Sequence, residues 1–412
     1  MSKIKELQLS SDIRGIAIAT EEFDATLTVE ESRLIASAFV KWLQKRYPSK
    51  NISELIVGIG RDSRISGPDL TKEFIKVLSA FGVHVIDFEM ATTPSMFMAT
   101  QFEEFNCDAT VMFTASHLPY YYNGLKFFTR EGGLESSDIR DIIGLVDEKE
   151  ELQGSVSTIE VKSIFERYSR HLVELIRKGS QSEKEKPLEG LHIIVDAGNG
   201  AGGFFAKSVL EELGAKTEGS QFLDPDGTFP NHIPNPDNKE AMESIKKQVL
   251  AVNADYGVIF DTDVDRAAVV TGSEELLNRN NLIAVLSVIV ISEHPGTTIV
   301  TNSPTTEHLK KFIMNLGGRQ YRYISGYRNV INKAIELNNQ GIDCQLAIET
   351  SGHAAFKENY FLDDGAYVVA KILMLLPRLV AKGETLDSLI KKLVQPKEVV
   401  EVRFKNETKD FK

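Results

Sequence analysis

Residues 114–126, TASHLPYYYNGLK, put a serine, an imidazole and an ammonium group close together. A serine hydroxyl is a weak nucleophile until a base or an electrostatic setting activates it. His117 is the adjacent candidate for that base, and the charge of Lys126 would hold an anion. The plain alternative is that Ser116 caps a helix N-terminus, where serine is favoured. That leaves His117, Asn123-Gly124 and Lys126 unexplained as a group. A second constellation, Asp261-Thr-Asp263-Val-Asp265-Arg266, directly follows the apolar run YGVIF. Alternate residues of an extended segment point the same way, so three carboxylates converge at a strand end. They repel unless a cation joins them, and an all-oxygen set suits Mg²⁺, Mn²⁺ or Ca²⁺. An EF-hand is excluded, because Arg266 stands where that loop needs glycine and Gly272 where it needs glutamate. The third group, Glu349-Thr-Ser351-Gly-His353, offers an acceptor, a donor and an imidazole suited to sugar hydroxyls. Its plain alternative is a polar loop. GNGAGG at 198–203 matches a dinucleotide-binding pattern, with Glu218 near the place of the ribose-binding acid. Tight turns need glycine anyway, and Asp196 and Asn199 crowd this one, so a structural role is preferred.

Each group stands at the end of a β-rich run. The runs 54–60, 84–88 and 109–113 read as strands, with a helix over 70–81. This is the βαβ rhythm of an α/β domain. Residues 163–178 place Ile164, Phe165, Tyr168, Leu172, Leu175 and Ile176 on one helical face, and 179–190 is a polar breaker. The strand 192–196 leads through the glycine turn into a helix ending at Leu213. A strand at 256–261 follows, then a helix over 281–292, the strand TTIVT, a helix over 306–316 and a strand ending at Glu349. Three α/β units therefore follow one another, at 1–155, 156–273 and 274–390, and 391–412 opens a fourth. The last run, EVVEVRFKNETKDFK, begins a strand and stops, which predicts a chain truncated inside a further domain.

Bulk properties agree with this division. A chain of 412 residues exceeds one compact core. Its net charge of −12 argues against a general nucleic-acid binder, while a local basic pocket still admits an anionic substrate. Two distant cysteines support no disulfide framework or zinc site and point to a reducing compartment. The longest apolar run, 282–291, is interrupted by Ser287 and too short to span a bilayer. The N-terminus has neither signal nor transit character. The expectation is a cytoplasmic protein without membrane or nucleic-acid partners, or a plastid one whose transit peptide has been removed.

Taken in order, the motifs resemble those of the α-D-phosphohexomutase family, the phosphoglucomutases and phosphomannomutases. TASHLP (114–119) is similar to the family's phosphoserine segment T-A-S-H-N-P. DTDVDR (261–266) is similar to its metal segment D-G-D-x-D-R, and IETSGH (348–353) to its sugar segment G-E-x-S-G-H. SDIRG (11–15) resembles the segment that carries an active-site arginine, here Arg14. GRDSRISG (60–67), TTP (92–94) and PNPDN (234–238) also sit where the family has similar runs. The resemblance spans nearly the whole chain. It implies three similar α/β domains with mixed sheets around a central cleft, plus a smaller fourth that is truncated here. It implies an isomerase that moves phosphate between C1 and C6 of glucose or mannose through a phosphoserine and a bisphosphate. Ser116, His117, Lys126 and Arg14 would be catalytic. Asp261, Asp263 and Asp265, with Ser116, would hold one Mg²⁺ per chain. Arg266, Glu349, Ser351 and His353 would bind substrate, together with Gly326, Tyr327 and Arg328 of the run 324–330. Hexose 1,6-bisphosphate would be the activator, a sugar phosphate the partner, and the protein a monomer or weak homodimer.

The electrostatics support that reading. A phosphoserine carries about −2 charge at pH 7, and one divalent ion does not neutralise it together with three aspartates. Basic neighbours are required, and Arg14, Lys126 and Arg266 lie in the right motifs. Phosphoryl transfer is mainly positioning and charge stabilisation. Three departures stand out: Leu118 for Asn, Ile348 for Gly, and Tyr327 where many members have histidine. They motivate one rival, a sugar-phosphate-binding protein without turnover. A second is a haloacid-dehalogenase-type phosphatase, with Asp261 as nucleophile and Asp363-Asp364 as its late acidic pair. A third is the nicotinamide-dependent enzyme of the glycine pattern.

Overall fold

The computed structural model describes residues 3–147, 157–398 and 400. Three sheets follow one another along the chain, each with parallel strands and an antiparallel return. In the first, Ala109–Phe113, Ile56–Arg61, His84–Met90 and Ile159–Val161 run parallel, and Tyr122–Thr129 returns antiparallel. In the second, Ile193–Asp196 and Tyr256–Phe260 are parallel and Ala267–Thr271 returns. In the third, Arg319–Tyr323, Thr298–Asn302 and Cys344–Ile348 are parallel and Ala354–Phe356 returns. Strands covered on both faces read as continuous apolar runs. ATVMF and YGVIF are buried throughout for that reason, which made them visible in the sequence. In every unit the chain must reverse between the last parallel strand and its antiparallel neighbour. Those three reversals are 114–121, 261–266 and 349–353, and each carries one of the polar constellations.

The expected helices appear with shifted ends, as Gly67–Ala80, Ile164–Ser180, Arg279–Glu293 and Glu307–Asn315. The first starts early because Pro68 suits an opening helical turn. The helix expected after the glycine turn is different. It is a 3₁₀ turn at Ala201–Gly203 followed by a wide i→i+5 coil at Ala206–Glu211. Gly203 passes so close to Leu223 that a Cβ would meet its carbonyl oxygen at 2.1 Å. That contact, rather than helix propensity, sets the entry. The break expected near 155 lies within 148–156, outside the described residues. The terminal strand falls on 399 and 401–412, also outside them. Among the described residues no helix is long and apolar enough to cross a membrane.

One apolar core runs through all three units. The helix Ile164–Ser180 packs along Gly365–Lys382. Tyr168, fully buried, gives its hydroxyl to Asp364 at 2.7 Å. Asp364 also accepts from the Tyr367 N–H at 2.8 Å and so caps Gly365–Lys382. Burial pushes its carboxyl up to about 6. A buried acid is tolerated where donors surround it. This gives Asp364 a structural task and removes it from the phosphatase reading.

The glycine turn is closed from outside. A Cβ on Gly200 would meet the Thr262 carbonyl oxygen at 2.6 Å, so the turn is filled by the aspartate loop. No face remains there for a pyrophosphate. Asp196 holds the turn by accepting from Gly198 N–H at 2.9 Å and from Gln221 at 2.6 Å. His232 Nε2 lies 3.0 Å from the same carboxylate, and its Nδ1 lies 3.0 Å from the Ile233 carbonyl. Both ring nitrogens face acceptors, so the ring carries both protons. Burial opposes that charge, but the Asp196 hydrogen bond and charge outweigh it and raise the His232 pKa. A raised pKa stabilises the fold fully below the ordinary histidine value and ceases to do so as pH rises through the folded-state value. Urea midpoints measured from pH 6 to pH 9 are expected to fall for the wild type. A His232→Gln variant should lack that component, and parallel curves would refute it.

Candidate active site

The serine loop is built around an arginine that sequence reading passed over. Ser116 has φ 53° and is 3% exposed. A non-glycine residue in that left-handed region costs on the order of 1–3 kcal/mol and needs support. Arg64, wholly buried, supplies it. Its Nη2 donates to the carbonyls of Ser116 (2.5 Å) and Leu118 (2.7 Å), and its Nη1 to those of Pro119 (2.8 Å) and Tyr122 (2.9 Å). Asp62 holds Arg64 in turn, 3.3 Å from its Nε and accepting its backbone N–H at 2.9 Å. Thr114 Oγ1 accepts from the Ser116 N–H at 2.9 Å. No helix follows Ser116 before the strand Tyr122–Thr129, so the capping alternative falls. The available signal for Arg64 was its run, GRDSRISG, noted only as a family-like stretch.

The aspartate loop is gripped from both sides. Thr93 opens the helix Thr93–Gln101 and donates its N–H to the Asp263 carbonyl at 2.9 Å and its hydroxyl to the Asp263 carboxylate. Gly365, at the head of Gly365–Lys382, donates its N–H to the Val264 carbonyl at 2.9 Å. A Cβ on Gly365 would meet the Arg266 carbonyl at 2.7 Å, so only glycine fits. Val264 has φ 64° and is fully buried, a strained state for a β-branched residue that these contacts hold in place.

Asp261, Asp263 and Asp265 are buried, and one carboxylate oxygen from each lies within 4.8 Å of the others. Arg266 Nε pairs with Asp261 at 3.0 Å, and Lys126 Nζ with Asp265 at 2.5 Å and Asp263 at 3.6 Å. Three carboxylates thus face two cations. Asp263 Oδ1 and Asp265 Oδ1 are buried and lack any hydrogen-bond donor. Buried oxygens of this kind ordinarily have partners, and unpaired carboxylate oxygens suit a hard cation. Burial and the neighbouring carboxylates push Asp261 and Asp263 upward. Burial also opposes the charge on Asp265, but Lys126 above all, and Arg266, hold it well below the usual carboxylate range.

The serine and aspartate loops meet at Ser116, and the third loop joins them at Arg266 and Asp265. Ser116 Oγ donates to Asp261 Oδ2 at 3.2 Å and accepts from Arg266 Nη2 at 2.9 Å. The same Nη2 lies 2.6 Å from His117 Nδ1. A guanidinium only donates, so that nitrogen is the acceptor and His117 is neutral. Burial, Arg266 and Arg14 push its pKa down to about 3. A backbone bridge joins Arg266 to His353. His353 Nε2 lies 3.5 Å from Asp265 and its Nδ1 3.0 Å from Ser351 Oγ. Burial pushes His353 down to about 3 as well. Glu349 accepts from the Gly326 N–H at 2.7 Å. Tyr327 stacks on His353 with ring centres 5.6 Å apart. Arg14 pairs with Asp12 at 2.7 Å and feels the charge of Asp263. Arg328 instead pairs with Glu135 at the joint between the first and third units. Asp363, buried with an unpartnered Oδ2, faces the field of Asp265 and Glu349 and is pushed well upward, chiefly by burial.

Three α/β units whose hairpin loops deliver a serine, an acidic triad and a polar imidazole loop to one buried centre make a site suited to phosphoryl transfer. The phosphoglucomutase/phosphomannomutase α/β/α domain models match in succession, domain I at 5–153, II at 166–274 and III at 278–396. The chain belongs to the phosphoglucomutase/phosphomannomutase family. It is 32% identical over 368 residues to a phosphomannomutase/phosphoglucomutase of Pseudomonas aeruginosa, covering 89% of this chain and 73% of that one. It is 30% identical over 391 residues to a phosphoglucomutase of Neisseria gonorrhoeae, covering 93% and 78%. Among solved structures it resembles a phosphoglucomutase/phosphomannomutase family protein of Burkholderia thailandensis, with 28% identity and a TM-score of 0.77. That match covers 94% of this chain and 79% of the other.

Proposed function

We propose that the protein interconverts hexose 1-phosphate and hexose 6-phosphate, with glucose or mannose as the sugar, through a phosphoserine at Ser116. The observation that carries this is the seat of Ser116 Oγ between Asp261 and Arg266, at the meeting of loops from separate units. The sugar hydroxyl attacks the phosphorus. The bond from phosphorus to Ser116 Oγ breaks as the bond to the sugar oxygen forms, and the hydroxyl proton leaves to a base. The 1,6-bisphosphate so formed turns round and returns its other phosphoryl group to Ser116. Lys126 is held charged by burial-resistant pairing with Asp265 and Asp263, so it neutralises phosphate rather than taking protons. His117 offers its Nδ1 to Arg266. His353, neutral, faces the centre 3.5 Å from Asp265. Arg14 and Arg266 would hold phosphate oxygens.

The unpartnered oxygens of Asp263 and Asp265, with Asp261 and Ser116 Oγ, fit a Mg²⁺ ion. When bound it would offset charge on the transferring group. Hexose 1,6-bisphosphate would restore the phosphoserine after loss of the intermediate. Glu349 and Ser351 would receive sugar hydroxyls, and Gly326, Tyr327 and Arg328 would complete that side of the cleft. Two buried free cysteines accord with a reducing, cytoplasmic setting. The phosphatase alternative is disfavoured because Asp261 is occupied by the Arg266 backbone and side chain and by Ser116. The test is the mass of the Ser116 peptide before and after incubation with Mg²⁺ and glucose 1,6-bisphosphate. A phosphate adduct on Ser116 is expected. Turnover of glucose 1-phosphate with Ser116 unmodified throughout would overturn the mechanism.

A further inference from the structure

Tyr327 begins the helix Tyr327–Asn339 of the third unit, yet its side chain ends in the first. Its hydroxyl lies 2.8 Å from Ser11 Oγ and donates to Asp12 Oδ1 at 3.3 Å. With the proton committed to Asp12, the phenol oxygen accepts from Ser11. The other oxygen of Asp12 receives Arg14, at 2.7 Å from Nη2 and 3.2 Å from Nε. The ring lies near parallel to His353, at 21° and 5.6 Å, and the Lys126 ammonium sits 5.5 Å from its centre. Tyr327 therefore touches His353 and Lys126 directly and Arg14 through one carboxylate. The same helix is fastened nearby, where Glu135 receives Arg328 and also Asn332 at 3.1 Å.

We propose that Tyr327 is a positioning residue that ties the third unit to the first. Its hydroxyl sets the Arg14 guanidinium through Asp12, and its ring fixes the His353 imidazole and the Lys126 ammonium. This rests on the mutase reading and deepens it. The hydroxyl acts on phosphate binding, because Arg14 is the group it orients. The ring acts on the chemical step, because His353 and Lys126 surround the transferring group. These two contributions are separable by substitution.

Tyr327→Phe keeps the ring and removes the hydroxyl. Its KM for glucose 1-phosphate is expected to rise about 3- to 10-fold, with kcat within about twofold of wild type. Ser11→Ala removes the donor that holds the phenol oxygen over Asp12 and should move KM in the same direction by a smaller factor. The double variant should be no worse than Tyr327→Phe alone, since coupled residues are not additive. Tyr327→Leu removes the ring and should also lower kcat about 10-fold or more. Unchanged KM in both Tyr327→Phe and Ser11→Ala would overturn the proposal. So would a kcat loss of about 100-fold in Tyr327→Phe with an altered pH profile, which marks a proton-transfer group. If Tyr327→Phe fails to fold in a thermal melt, Ser11→Ala carries the test. Wild-type turnover is measured first. If the wild type converts no glucose 1-phosphate, the mutase reading fails on its own. Calorimetric Kd values for glucose 1-phosphate then decide the role of the hydroxyl: weaker binding in the variants supports it, equal binding refutes it.

Discussion

Replacing Ser116 by alanine is expected to lower turnover of glucose 1-phosphate by about 10⁴-fold or more, with folding intact. The size follows from the proposed role: losses of this order follow removal of a covalent nucleophile elsewhere. The folding cost is small because the Ser116 side chain fills little space, and Arg64 holds the loop through backbone carbonyls that alanine retains. Alanine would still bear the left-handed backbone at 53°. Kinetics, a thermal melt and glucose 1-phosphate binding on the same preparation check this. Intact folding and binding with lost turnover fit the phosphoserine; a rate near wild type would not.

The second large effect falls on a residue that never faces substrate. Arg64→Met should destabilise the protein by about 3–5 kcal/mol and take the activity with it. Four carbonyls of the serine loop lose their donors, and buried Asp62 loses its cation. Burial already pushes the Asp62 carboxyl up to about 6 despite that cation. The left-handed turn at Ser116 would also lose its carbonyl clamp and keep only the Thr114 hydroxyl on its N–H. Arg64→Lys should not rescue, because one ammonium cannot span carbonyls that a planar fork reaches together. Urea unfolding and steady-state kinetics measure the two consequences. Wild-type stability with a wild-type rate in Arg64→Met would show the clamp to be dispensable.

These two residues mark the division between what was legible and what was not. Ser116 was found because its neighbours were unusual for a loop, and the triad because alternating acids after a buried strand demand a cation. The α/β class was readable from buried parallel strands, which are apolar along their whole length. Arg64 was invisible as a clamp. In sequence it is one arginine in a polar run, and its task depends on carbonyls more than 50 positions away in the chain. The same holds for Thr93 and Gly365, which grip the triad loop from the first and third units. Nor does any spacing near Tyr327 show that its hydroxyl meets Ser11 and Asp12 of the first unit.

By itself, then, the sequence determined the three α/β units, the loops that end their central strands, and the chemical types those loops carry. Local periodicity and residue chemistry set such things, and both act within a few positions along the chain. Only the tertiary structure decided which loops meet, which cation faces which carboxylate, and that both imidazoles at the centre are left neutral. Those outcomes depend on burial and on distances of a few ångströms between residues far apart in sequence. Electrostatic energies change most steeply over that range, and no spacing in the sequence records it.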